Sequence, residues 1–221
     1  GSIYFLAENT ALEYTLTTNV SLLTSTSPLI ISLIVGILYK SERPNKGMLM
    51  GSFIAFIGVG CVIFNSSFNL QVRPLGDVLS ILAAFSWAIY SLVLRKLNVV
   101  YDLWFITRKT FFYGVLTAIP FVLSKPLNNP LELLGDSSIL VNLLFLGIGA
   151  SMIAYYLWAK IIKQVGAVKA NNYMYLQSIF TLIISAIAIH ERISIVGILG
   201  CCLILGGLWI GDRLSQSWRN K

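Results

Sequence analysis

Charge is what this sequence has least of. Only 11% of its 221 residues are Asp, Glu, Lys or Arg, against about 25% in a soluble domain, so a water-facing coat cannot be built from them. A single histidine, His190, removes most metal-ligand sets and any catalytic triad not centred on it. The three cysteines, Cys61, Cys201 and Cys202, all lie in apolar runs, which fits neither a disulfide framework nor a zinc site. The apolar runs hold no paired acids and no phosphate-binding glycine loop, so the chain is not expected to be an enzyme, and no cofactor or metal is expected.

What fills the sequence instead is apolar: 57% of it is hydrophobic and the mean hydropathy is +0.80. The chain reads as an all-α polytopic membrane protein. Stretches free of charged residues cover 16–39, 47–72, 78–94, 110–124, 137–159, 170–189 and 193–211, and a bilayer crossing needs about 20 residues. The fourth is short, but it extends backwards through Leu103, Trp104, Phe105 and Ile106 if Arg108 and Lys109 snorkel towards headgroups. A further half-span runs from Ile3 to Thr15. Runs of this length without strand alternation are helices, because each segment must satisfy its own backbone in lipid.

The loops between the spans alternate in charge. Of the 16 Lys and Arg residues, 13 fall in one set of loops and in the C-terminal tail, and only Arg73, Lys125 and Arg192 fall in the other. The bias against translocating Lys and Arg makes the rich side cytoplasmic. The net charge of +7 is then topological, and no nucleic acid is expected as a partner.

An internal repeat organises the chain. Ser41-Glu42-Arg43 follows one span and His190-Glu191-Arg192 follows another 149 residues later; at the same offset Gly51 pairs with Gly200, Gly58 with Gly207 and Pro28 with Gln177. Five crossings separate the two copies, so they are inverted across the membrane. Gly1-Ser2 carries no Met, and applying the offset to the span near Gly76 gives an expectation of roughly 70–75 residues ahead of Gly1. The whole is then an inverted repeat of five-helix bundles, of which this chain holds the second half of helix 3 through helix 10.

These residues resemble the EamA-type members of the drug/metabolite transporter superfamily. The resemblance rests on Ala11-Leu12-Glu13-Tyr14-Thr15, Ser21-Leu22-Leu23, Ser27-Pro28-Leu29 and Glu42-Arg43. In the second half it rests on Trp87-Ala88-Ile89-Tyr90, Arg95-Lys96, Tyr155-Tyr156-Leu157-Trp158 and Glu191-Arg192, followed by Gly197, Gly200 and Gly206-Gly207. It implies residues 1–68 as the C-terminal part of a first repeat, 69–76 as an external linker, 77–213 as a second repeat and 214–221 as a cytoplasmic tail. It also implies a permease, commonly an exporter, of small organic metabolites, working by alternating access in the cell membrane. Helices 3, 4, 6, 8 and 9 of such a protein line the cavity. Many relatives carry proline where this chain has Gln177, which removes the proline reason for a kink matching that at Pro28. The expected partners are a small-molecule substrate and the lipid bilayer, with a homodimer left open. A non-transporting membrane scaffold or receptor on the same fold is the alternative.

The residues that could carry transport are the polar and aromatic ones at membrane depth. Ser21, Ser25, Pro28 and Ser32 share one helix face by spacing, either as a cavity wall with a broken helix or as a stripe of small residues for close packing. Tyr173, Gln177 and Thr181 share another face, and a mid-span amide such as Gln177 needs a partner, which makes it the favoured solute contact. Asn171 and Asn172, close after Lys169, can be satisfied at the interface. Trp87 and Tyr90, with Tyr155, are candidate aromatic lining, though ordinary packing explains them equally. Glu8 lies five residues deeper than Glu13, about 7.5 Å along a helix. It suits a cationic solute group or a coupling proton, or it is an outer-vestibule acid open to water. His190 reads as a solvated interfacial residue.

The charge split makes a direct test. A cysteine at Asn69 should label from outside and one at Asn45 from inside; the reverse pattern would invert every loop.

Overall fold

The computed structural model describes residues 2–39, 44–65, 72–124, 137–188, 190 and 192–219. The sequence motifs at Glu42, Arg43 and Glu191, and residues 69–71 of the expected linker, lie outside the described residues; the linker's last three residues, Pro74 to Gly76, are helical. Among those described, every regular element is a helix. In order they are α1 (Ser2–Tyr14), α2 (Thr17–Thr24), α3 (Ser27–Leu38), α4 (Lys46–Ile63), α5 (Pro74–Val100), α6 (Leu103–Ser124) and α7 (Ser137–Leu144). A π-helical stretch (Phe145–Ile153) then leads into α8 (Ala154–Val165), followed by α9 (Ala167–Asn172), a 3-10 turn (Tyr173–Tyr175), α10 (Leu176–Ala188) and α11 (Ile195–Arg219).

Five helical stretches among the described residues are long and apolar enough to cross a membrane: Thr17–Leu38, Lys46–Ile63, Pro74–Val100, Ser137–Val165 and Ile195–Leu214. The two further spans expected from the sequence are present as helices of another kind. Helix α6 carries Arg108 and Lys109 near its start, and the span at 170–189 is interrupted by the 3-10 turn. Helix α11 runs on to Arg219, so most of the expected tail is helical.

The chain divides into two compact units, one of residues 3–92 and 167–221, the other of 1–2 and 93–166. In the second of these, aromatic contacts join α6 to α8: Trp104 stacks on Tyr156 with centroids 4.3 Å apart, and Phe111 meets Tyr155 edge-on at 5.4 Å. Asn98 donates to the Ala159 carbonyl at 2.9 Å. Gly166, with φ +84°, ends α8 in a backbone conformation that glycine adopts without strain.

The larger unit is built on the pair α4 and α11, whose contact is made by glycines. A Cβ on Gly207 would lie 2.5 Å from the Gly51 carbonyl oxygen, and one on Gly58 would lie 2.6 Å from that of Gly200. Small residues let helix backbones approach where no hydrophobic force drives them together. Asparagines tie the ends. Asn45 caps α4 by accepting from the Met48 N–H and donates to the Leu214 carbonyl at 3.1 Å. At the other end the Ser194 N–H and hydroxyl both donate to Asn65 Oδ1, at 2.8 and 3.0 Å. The 149-residue offset exchanges these contacts among themselves: 51 with 207 becomes 200 with 58, and 45 with 214 becomes 194 with 65.

Asn45 is therefore a poor labelling site, since losing an N-cap costs about 1 kcal/mol. Exposed Lys46 and Val72 serve better. Gly58→Leu should lower the thermal midpoint of the purified protein, at about 1–3 kcal/mol of overpacking, whereas Gly206→Ala, with nothing within 4 Å of its Cβ, should leave it unchanged. Equal midpoints would show that α4 and α11 do not pack through their glycines.

Candidate functional site

Two helices of the larger unit are broken in mid-course. The first stops at Thr24 and resumes at Ser27. Pro28 brings no N–H for the carbonyl four residues back and its ring crowds it, and a tight turn stands there instead, with the Thr26 N–H donating to the Leu23 carbonyl at 3.1 Å. The second stops at Asn172 and resumes at Leu176 through the 3-10 turn. Adding 149 to 25–26 gives 174–175, which falls inside the second break. The breaks therefore match although Gln177 replaces the proline, which corrects the expectation that a proline is needed for a matched kink.

Both breaks open on one cavity of about 210 Å³. The first contributes Ser21, Thr24, Ser25, Ser27 and Pro28; the second contributes Met174, Tyr175, Gln177, Ser178 and Thr181. Helix α1 adds Tyr4 and Glu8, α5 adds Trp87 and α4 adds Ile63. Three of the hydroxyls spend their hydrogens on their own helices: Ser25 donates to the Ser21 carbonyl at 2.7 Å, Thr24 to that of Val20 at 2.8 Å and Thr181 to that of Gln177 at 2.9 Å. A hydroxyl used in this way keeps its acceptor lone pairs.

The charged and aromatic groups are held in place. The Tyr4 hydroxyl donates to Glu8 Oε1 at 2.8 Å, and the Tyr4 ring lies 5.1 Å from that of Trp87, tilted by 53°. The Trp87 N–H is shared between Asn171 Oδ1 and Met174 Sδ, both at 3.1 Å. Asn171 and Asn172 are buried. The Asn171 amide donates to the Ala167 carbonyl at 2.8 Å, and Asn172 Oδ1 accepts from Ser52 at 2.8 Å. Protein partners, and not the membrane interface, satisfy both.

Of the sequence candidates, Glu8, Ser21, Ser25, Pro28, Trp87, Gln177 and Thr181 are thus brought together. Tyr90 is not among the lining residues; its ring packs on Trp87 at 5.5 Å. Tyr173 is turned away, and its hydroxyl donates to Asp212 at 2.6 Å, where Lys169 pairs with the same carboxylate at 3.0 Å. Tyr155 belongs to the other unit, against Phe111. Ser32 is buried, donating to the Pro28 carbonyl at 2.7 Å. His190 is exposed. Of the other lining residues, Ser178 belongs to the same polar run of its helix as Gln177, and Tyr4 stands one turn before Glu8. Nothing in the pattern singled out Met174 or Ile63.

A family model described as the EamA-like transporter family matches residues 74–210. An uncharacterized transporter of Archaeoglobus fulgidus is 30% identical over 202 residues, 90% of this chain and 68% of that protein. The uncharacterized transporter YyaM of Bacillus subtilis is 28% identical, covering 89% of this chain and 65% of its own length. A protein of Escherichia coli named as a probable amino-acid metabolite efflux pump is 24% identical over 85% of this chain and 64% of itself. The chain thus spans about two thirds of the length of these relatives. A solved crystal structure superposes with a TM-score of 0.80 over 96% of this chain and 72% of its own, at 21% identity, which is a likeness of fold.

Proposed function

Because the chain belongs to the EamA-like transporter family, we propose that this multi-pass membrane transporter exports small organic metabolites by alternating access around the cavity between its two helix breaks. The observation that carries this reading is the convergence of both breaks on one polar space. Irregular backbone at membrane depth is tolerated where it is buried in protein or lines a water-filled cavity, and paired broken helices in the two halves of a carrier point to its binding site.

Solute contacts are assigned to Glu8, Ser21, Ser25, Pro28, Trp87, Gln177 and Thr181, with Tyr90 acting through Trp87. The inverted repeat is supported by the contacts between α4 and α11 that the 149-residue offset exchanges. A cell-membrane location with the C-terminus in the cytoplasm is supported by the distribution of Lys and Arg. Export is supported by the likeness to the Escherichia coli protein named as a probable efflux pump.

Gln177→Leu should lower transport in vesicles about tenfold at matched expression, the worth of a hydrogen bond to solute of about 1.4 kcal/mol. Cys201→Ala should change it little. Leucine costs nothing to place in lipid, so the loss would reflect the missing amide and not failed insertion. Normal transport of every wild-type solute by Gln177→Leu would make the residue structural and move the site elsewhere.

A further inference from the structure

We propose that the cavity selects small organic cations carrying ammonium N–H groups, held between the Glu8 carboxylate and the face of Trp87. This rests on the transport reading of the same cavity and names its substrate class.

Three independent features of the lining point to a cation. The first is charge. Glu8 is the one carboxylate among the described lining residues, and none of them is Lys, Arg or His. A solute anion would be brought towards Glu8 with only neutral donors, such as the Gln177 amide and the Ser21 and Ser178 hydroxyls, to hold it. A cation meets its countercharge in a partly desolvated space, where such pairing is felt more strongly than in bulk water.

The second feature is hydrogen-bond polarity. Ser25, Thr24 and Thr181 spend their single hydrogens on carbonyls of their own helices. Towards the cavity they therefore present lone pairs. Tyr4 takes one acceptor site of Glu8, and a carboxylate has about four, so Tyr4 orients the group without saturating it. An acceptor-rich cavity needs a donor-rich ligand. A protonated amine supplies two or three N–H donors with its charge, whereas an alcohol supplies one and a carboxylate none.

The third feature is aromatic. The Trp87 indole is fixed by its shared N–H bond to Asn171 and Met174 and by the Tyr4 ring against it. It lines the same space as Glu8. Trp is the strongest of the side-chain π faces for cations. Size sets the last limit: about 210 Å³ is below the roughly 300–1,000 Å³ of pockets that take drug-sized ligands, so the solute is a small metabolite.

Three probes with one ring and different heads test this: benzylammonium, benzyl alcohol and benzoate. Each is titrated calorimetrically at pH 7 into the protein at its natural length, in nanodiscs of neutral phosphatidylcholine. Benzylammonium should bind about tenfold more tightly than benzyl alcohol, and benzoate more weakly than either. In Glu8→Gln the ammonium should fall to within about twofold of the alcohol, while Glu8→Asp, which keeps the charge, keeps the preference. An unchanged affinity for benzyl alcohol shows that the Gln variant retains its cavity. The proposal is overturned if the alcohol or benzoate binds as tightly as the ammonium, if Glu8→Gln leaves the preference intact, or if none of the three binds. Efflux of neutral or anionic solutes by the wild type, without an ammonium preference, would leave the transport reading standing and remove this one alone.

Discussion

A backbone inside lipid has no water to turn to, so each N–H and C=O must find a partner in its own helix or in protein around it. This constraint makes the two helix breaks informative. A break at 25–26 or 173–175 would be intolerable facing acyl chains. Both instead face a space lined by hydroxyls, an amide and a carboxylate. Ser25, Thr24 and Thr181 spend their hydroxyl hydrogens on carbonyls of their own helices and keep their lone pairs as acceptors.

The breaks are held by a rigid backing. Helices α4 and α11 meet backbone to backbone at Gly51, Gly58, Gly200 and Gly207. Their core, with Ala55, Val59 and Ile204, includes Tyr175 from the second break. Ser52 on α4 reaches Asn172, and Asn171 beside it fixes Trp87. A chain of contacts thus runs from the glycine seam to the aromatic wall of the cavity, which is why the paired asparagines are better understood as brackets than as solute ligands.

Much of this was legible in the sequence because membrane helices write their constraints in few residue types. The 149-residue offset was visible in glycines because close approach admits no larger side chain, and the stripe of Ser21, Ser25 and Pro28 was visible because helical periodicity holds up to the break. Tyr173 was misplaced for the complementary reason. A 3-10 turn advances about 120° per residue where an α-helix advances about 100°, so three such residues rotate the preceding face by about 60° against Gln177 and Thr181. The sequence offered no proline to mark that turn. Tyr4 and Met174 were passed over because their roles depend on where the Trp87 ring lies, a tertiary fact that no spacing encodes.

The central claim is that solute passes through the space between the two breaks. Its most direct test is the reactivity of single cysteines at Ser25 and Gln177, with Cys61, Cys201 and Cys202 replaced by alanine, toward a membrane-impermeant maleimide added to one face of sealed vesicles at a time. The account predicts that both positions react from an aqueous side and that a transported solute protects them together. Cysteines at these positions that stay unreactive from both faces, or that solute leaves equally exposed, would contradict it.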